Sequence, residues 1–119
     1  MGFLDHFRRP NFKDPAELDK LSLTHLTKRG ANLALPRHIL HFVYFDDEAD
    51  ARRAHEEIPE AGWYVTLVAP DDSTPLWLVR AEDTRIVDAQ TVPSYRAWFE
   101  QIASAHNGEY DGWEAAAKP

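Results

Sequence analysis

Apolar residues recur along the chain with two different spacings, and the switches between them mark its helices and strands. Asp14-Pro15-Ala16-Glu17 predicts a helix start: Asp14 can cap, proline suits the first helical position, and Glu17 completes a capping-box pattern. Leu18, Leu21 and Leu26 share one face, Lys28 and Arg29 suit the negative helix end, and Gly30 fits the left-handed position just beyond it. The first helix is expected over residues 15–29. From Arg37 to Phe45 the pattern becomes Ile39, Leu40, Phe42, Val43, Tyr44 and Phe45, apolar on both alternating faces apart from the histidines, as in a central strand. Asp46 and Asp47 then offer caps for a helix with Ala51, Ala54 and Ile58 on its buried side, stopped by Pro59 and Gly62. Residues 63–68 and 75–79 are aromatic and β-branched runs around the turn cluster Pro70-Asp71-Asp72-Ser73, which predicts a hairpin. After a polar connection over residues 86–91, Tyr95, Phe99, Ile102 and Ala103 mark another amphipathic helix, closed by Asn107-Gly108, and residues 109–115 form the last strand.

Taken in order, the main body is strand, helix, strand, strand, helix, strand, preceded by an extra helix. The simplest packing is an α+β, ferredoxin-like βαββαβ fold: a four-stranded antiparallel sheet with two helices on one face, plus the N-terminal helix. Residues 1–13 mix Phe3, Leu4, Phe7 and Phe12 with Arg8, Arg9 and Pro10 without a sustained period, and read as an N-terminal arm. Residues 14–119 read as a single domain, because 119 residues with 44% hydrophobic content support one core. Tyr44, Trp77 and Trp113 fall on predicted strands and would make a sheet face comparable to an RNA-recognition motif. The basic, glycine-containing signature of that motif is missing, so packing is the favoured role for these rings.

Charge narrows the choice of partner. With 20 acidic against 13 basic residues the net charge is −7, which opposes direct binding to phosphate backbones and favours encounter with basic surfaces. No apolar run approaches the ~18 residues of a membrane span, Met1-Gly2 lacks the Ser or Thr that myristoylation needs at the position of His6, and no leader is evident. A cytoplasmic protein is expected, and the absence of cysteine fits a reducing compartment.

Catalytic chemistry finds little support. His38 and His41 are three apart in a predicted strand and point to opposite faces, while His6, His25, His55 and His106 lie in separate elements without metal-ligand spacing. Neither a Gly-x-Ser-x-Gly elbow nor a glycine-rich phosphate loop occurs. Glu56-Glu57 and Asp71-Asp72 read as solvated pairs. The expectation is no enzyme, no cofactor and no metal.

The most distinctive stretch is Gly108-Glu109-Tyr110-Asp111-Gly112-Trp113-Glu114, where Gly108 ends a helix, Asp111-Gly112 permits a kink or bulge, and Tyr110 and Trp113 supply two large rings. Physics alone favours a last strand whose aromatics hold the helices. The segment also resembles the close of the RraB family, the B-type regulators of ribonuclease E activity. Arg37-His38-Ile39-Leu40-His41-Phe42-Val43-Tyr44-Phe45 and Gly62-Trp63-Tyr64-Val65 give a looser match, so the resemblance spans residues 30–115. It implies a ferredoxin-like domain without catalytic residues or cofactor, which binds a ribonuclease E-like nuclease and inhibits it. Of the motif it carries over Glu109, Tyr110, Asp111, Gly112 and Trp113 as partner-binding candidates. The six residues after Trp113 contain no acidic tail of the kind some relatives carry. The competing reading is a ligand-sensing or homodimerising module of unrelated function.

Overall fold

In the computed structural model, which describes residues 14–118, the Asp14 side chain accepts a hydrogen bond from the Glu17 N–H at 3.1 Å and so caps helix α1, Pro15–Lys28. The arm expected over residues 1–13 lies outside the described residues, as does Pro119. Helix α1 closes as its sequence predicts. Gly30 adopts φ +90°, its N–H reaches the Thr27 carbonyl, and the Ala31 N–H reaches back to that of Leu26, the paired bonds of a Schellman ending. The buried stripe differs from the expected one. Leu26 is buried, but Leu21 is 56% exposed, and Asp19 takes a buried position in its place.

The chain continues as β1 (Arg37–Phe45), α2 (Glu48–Glu57), a 3₁₀ turn (Ile58–Ala61), β2 (Tyr64–Val68), β3 (Trp77–Arg85), α3 (Thr91–Ala105) and β4 (Gly108–Ala115). The expected cap of α2 is in place at Asp47, although its side chain makes no capping hydrogen bond. Gly62, at φ +92°, ends the 3₁₀ turn. The four strands form one antiparallel sheet in the order β2-β3-β1-β4. Because β1 and β2 both run antiparallel to β3, they are parallel to each other, and α2 carries the chain between them past β3. Helix α3 likewise carries it from β3 to β4 past β1.

Alternation along β1 sets the two faces of the sheet. Arg37, Ile39, His41, Val43 and Phe45 are buried, and Val43 and His41 sit opposite Val79 and Ala81 of β3. Ile39, Val43, Phe45, Val79 and Ala81 pack with Ala51, Ala54 and Ile58 from α2 and its extension, Phe99, Ile102 and Ala103 from α3, and Leu26 from α1. Full burial of each larger side chain contributes about 1.5–3 kcal/mol, so this single cluster holds all three helices on one side of the sheet. Leu40, Phe42 and Tyr44 point the other way, are only half-buried, and do not join the cluster. Tyr44, Trp77 and Trp113 therefore do not share a face. Trp77 pairs with buried Phe45 and Trp113 with buried His41, and both pack against the core, leaving Tyr44 alone on the opposite side.

The end of α3 departs from expectation in an instructive way. Asn107, at φ 60°, takes the left-handed position, and Gly108 is already the first residue of β4. Glycine is required at residue 108 by space, since a Cβ there would lie 2.4 Å from Phe45 Cε1 and 2.8 Å from the Tyr44 carbonyl. Gly108→Ala is predicted to cost about 1–3 kcal/mol in urea unfolding. In that background Phe45→Leu is predicted to cost less than it does alone; an unchanged midpoint for Gly108→Ala would refute the contact.

Candidate functional site

The closing motif is built around an extra residue. Strand β4 pairs with β1 in one register through Glu109↔Tyr44 and Tyr110↔Val43, and in a shifted register through Trp113↔His41 and Glu114↔Leu40. Asp111 and Gly112 together oppose Phe42, and Gly112 has φ +102°, a conformation that favours glycine. In a regular strand Tyr110 and Trp113, three positions apart, would point to opposite faces. The bulge resets the alternation, so both rings turn toward the helices.

Tyr110 enters the core and meets His41. Its hydroxyl lies 2.7 Å from His41 Nδ1, with both side chains buried. Around the imidazole, Phe99 stacks at 4.2 Å between ring centres, Trp63 stands nearly perpendicular at 4.9 Å, and Tyr95 approaches edge-on at 5.7 Å. Burial, reinforced by the nearby Arg85 and Arg96 guanidinium groups, lowers the His41 pKa to about 3, so the ring is neutral across the physiological range. Burial also raises the Tyr110 pKa, keeping it a phenol able to donate to Nδ1. The ring proton then belongs on Nε2, which has no hydrogen-bond partner among the described residues. The perpendicular Trp63 ring provides the kind of aromatic surface against which such an N–H can rest. Trp63 is itself held by Arg85, whose guanidinium lies 3.8 Å from its ring centre and bonds to Asp83 and the Ala61 carbonyl.

Trp113 is half-buried and donates its indole N–H to Asp19 at 2.8 Å. Asp19 in turn accepts two bonds from Arg96, from Nε at 2.7 Å and from a terminal nitrogen at 2.9 Å. One carboxylate thus joins α1, α3 and β4. Burial works against the Arg96 charge, but the bonds from Asp19 outweigh it and hold the guanidinium pKa above its ordinary value. A second buried cation, Arg37, donates to the carbonyls of Asn32, Ala116 and Ala117, fastening the entry to β1 to the segment that follows β4.

Of the residues marked in the sequence, Tyr110 and Trp113 are brought into this internal network by Gly112. Glu109 aligns with Tyr44 on the opposite side of the sheet, and Asp111 is exposed at the bulge. Asp19, Arg96 and the His41 pairing were not anticipated. A signal for Asp19 exists: residues 19, 23 and 26 lie on one helical face, and an aspartate on an otherwise apolar stripe calls for a buried partner.

The sequence profile described as "RraB: Regulator of ribonuclease activity B" matches residues 16–115. The chain belongs to the RraB family. No curated protein sequence matches it. The RraB match begins within α1 and ends with β4, so the whole network of His41, Tyr110, Asp19, Arg96 and Trp113 falls inside the family's extent.

Chemically, the network offers cohesion. His41 is fully buried and Tyr110 is 5% exposed. The other described histidines lie elsewhere: His38 bonds Glu82 and His106 bonds Glu57 at the surface, His25 is exposed, and His55 is half-buried on α2. Among the described residues no three His, Asp or Glu side chains cluster to hold a metal, and no helix is long and apolar enough to cross a membrane.

Two predictions follow from the buried polar groups. Below pH 6.5 the unfolded chain protonates His41 while the folded chain resists to about pH 3, so stability must fall as pH drops through that window. Between pH 6.5 and 4.5 this term is worth about 2–3 kcal/mol, and His41→Gln is predicted to flatten the urea-midpoint slope there by that amount. Asp19→Ala leaves Arg96 and the Trp113 indole without their carboxylate, and is predicted to cost about 3 kcal/mol. A red-shifted Trp113 emission should accompany it; an unchanged spectrum and midpoint would show that the network carries no weight.

Proposed function

We propose that this chain is a non-catalytic, protein-binding inhibitor of a ribonuclease E-like endoribonuclease, acting in the cytoplasm on RNA decay. The observation that carries this reading is the family match across residues 16–115, which takes in every described helix and strand but the first residue of α1. The name of the family speaks of ribonuclease activity; the nuclease class, the inhibition and the absence of catalysis are our reading. The strand order, with each helical crossover passing a neighbouring strand, supports a ferredoxin-like βαββαβ domain over residues 14–119. In this domain Tyr110, Gly112 and Trp113 act mainly as scaffold, while Glu109 and Asp111 belong to the partner-facing side.

The net charge of −7 favours a basic partner region and disfavours RNA itself. Attraction between exposed charges is screened within about 8 Å at physiological ionic strength, so salt weakens association most through its rate. The test is to titrate the purified protein into a cleavage assay with the full-length nuclease and, separately, its catalytic half, at low and moderate salt. The expected result is reduced cleavage by the full-length enzyme, strongest at low salt, with no cleavage by the protein alone. Unchanged cleavage throughout, with no complex by pull-down, would sink the reading.

A further inference from the structure

The helices bury one face of the sheet, and the other carries a run of apolar side chains across β1, β2 and β3. Leu40, Phe42 and Tyr44 on β1 lie beside Leu78 on β3, while Tyr64 and Val68 on β2 are 69% and 37% exposed. Among the described residues no helix contributes to this face. Three consecutive outward positions of a central strand read Leu, Phe, Tyr, and each is half-buried, so part of their apolar surface is left outside the core. Their neighbours are mostly acidic. Glu82, bonded to His38, flanks Leu40 from β3 and Glu114 flanks it from β4; burial raises the pKa of the Tyr44 phenol, and Asp111 and Glu114 add to the rise. Near the middle, opposite Phe42, stands Arg80, whose enclosed Nε has no hydrogen-bond partner among the described residues.

We propose that this helix-free sheet face is the docking surface for a partner segment in which Lys or Arg residues flank apolar side chains. The inference rests on the protein-binding reading above and gives that reading a location. Apolar side chains of the segment cover Leu40, Phe42 and Leu78, and its cations lie toward the acidic β4 side. The Arg80 charge near the centre disfavours a uniformly basic polyelectrolyte, so the cations of the segment keep to the acidic rim. The arrangement combines an apolar centre with a charged rim, as protein–protein contacts do. Among the described residues the helix side leaves Leu21 of α1 exposed, but most of its apolar groups are taken up by the core.

The test uses the full chain, isotopically labelled, and two synthetic probes: a peptide of alternating Arg and Leu and its Glu/Leu counterpart. The Arg/Leu peptide is expected to shift the amides of Leu40, Phe42 and Leu78, and the Glu/Leu peptide to leave them unmoved. Phe42→Arg and, as a variant at an exposed position less apt to disturb folding, Tyr64→Ser are expected to weaken binding about tenfold and threefold respectively, with melting curves checked alongside. Glu114→Gln should weaken binding and flatten its salt dependence. Shifts confined to the helices, or affinities unaltered by both apolar-face variants, would overturn the proposal. Cross-links from this face to residues 1–13, or a dimer broken by Tyr64→Ser, would overturn it too, making the occupant the chain's own arm or a second copy. The non-catalytic region of the nuclease separates the two levels of the argument. If that region binds both variants as tightly as the parent, the surface is wrong and the regulator reading stands; if it never binds while the peptide maps to this face, the surface stands and the nuclease reading falls.

Discussion

The hydrogen bond between His41 and Tyr110 is the constraint on which most of this fold depends. It joins the central strand β1 to the edge strand β4, beneath α3, in a place where a charged imidazole is excluded by burial and two neighbouring arginines. A neutral ring and an un-ionised phenol answer each other there, and the surrounding Trp63, Tyr95 and Phe99 fix the imidazole in one orientation. For Tyr110 to reach His41 while Trp113 still reaches Asp19, β4 must gain a residue, and Asp111-Gly112 supplies it. The backbone bulge, the left-handed glycine and the two aromatic positions are therefore one device.

This view assigns different work to the two sides of the motif. Its rings and its glycine organise the interior, whereas its acids belong to the surface beside an apolar sheet face. The proposed binding role gives a reason for this division. Rigid internal anchoring holds the sheet in one shape, and an ordered face loses less conformational entropy when a partner arrives. The buried ion pair of Asp19 and Arg96 adds orientation at the outer edge of the helix layer, where α1 has few apolar residues to offer.

Much of this was legible in the residues. The caps at Asp14 and Gly30, the Ala51-Ala54-Ile58 stripe, the central position of β1, the opposed directions of His38 and His41 and the bulge at Asp111-Gly112 all follow from local rules of backbone and periodicity. What escaped was long-range. Asp19 and Trp113 are 94 positions apart, and no spacing rule places an indole against a helix so remote in sequence. Gly108 was misassigned for a related reason: a glycine after a helix suggests a cap, but its need for space comes from Phe45 on a neighbouring strand. The supposed common face of Tyr44, Trp77 and Trp113 failed because alternation fixes a face only once the register between strands is known. The family was legible only through the closing motif.

The most direct test of this account is a double-mutant cycle between His41 and Tyr110, using His41→Leu, Tyr110→Phe and the pair, followed by urea unfolding at neutral pH. Each single change strands one polar group in the core, whereas the pair removes both, so the account predicts that the double variant is more stable than the sum of the single losses by about 1–3 kcal/mol. Additive losses would contradict it, and would mean that the two rings merely lie near each other.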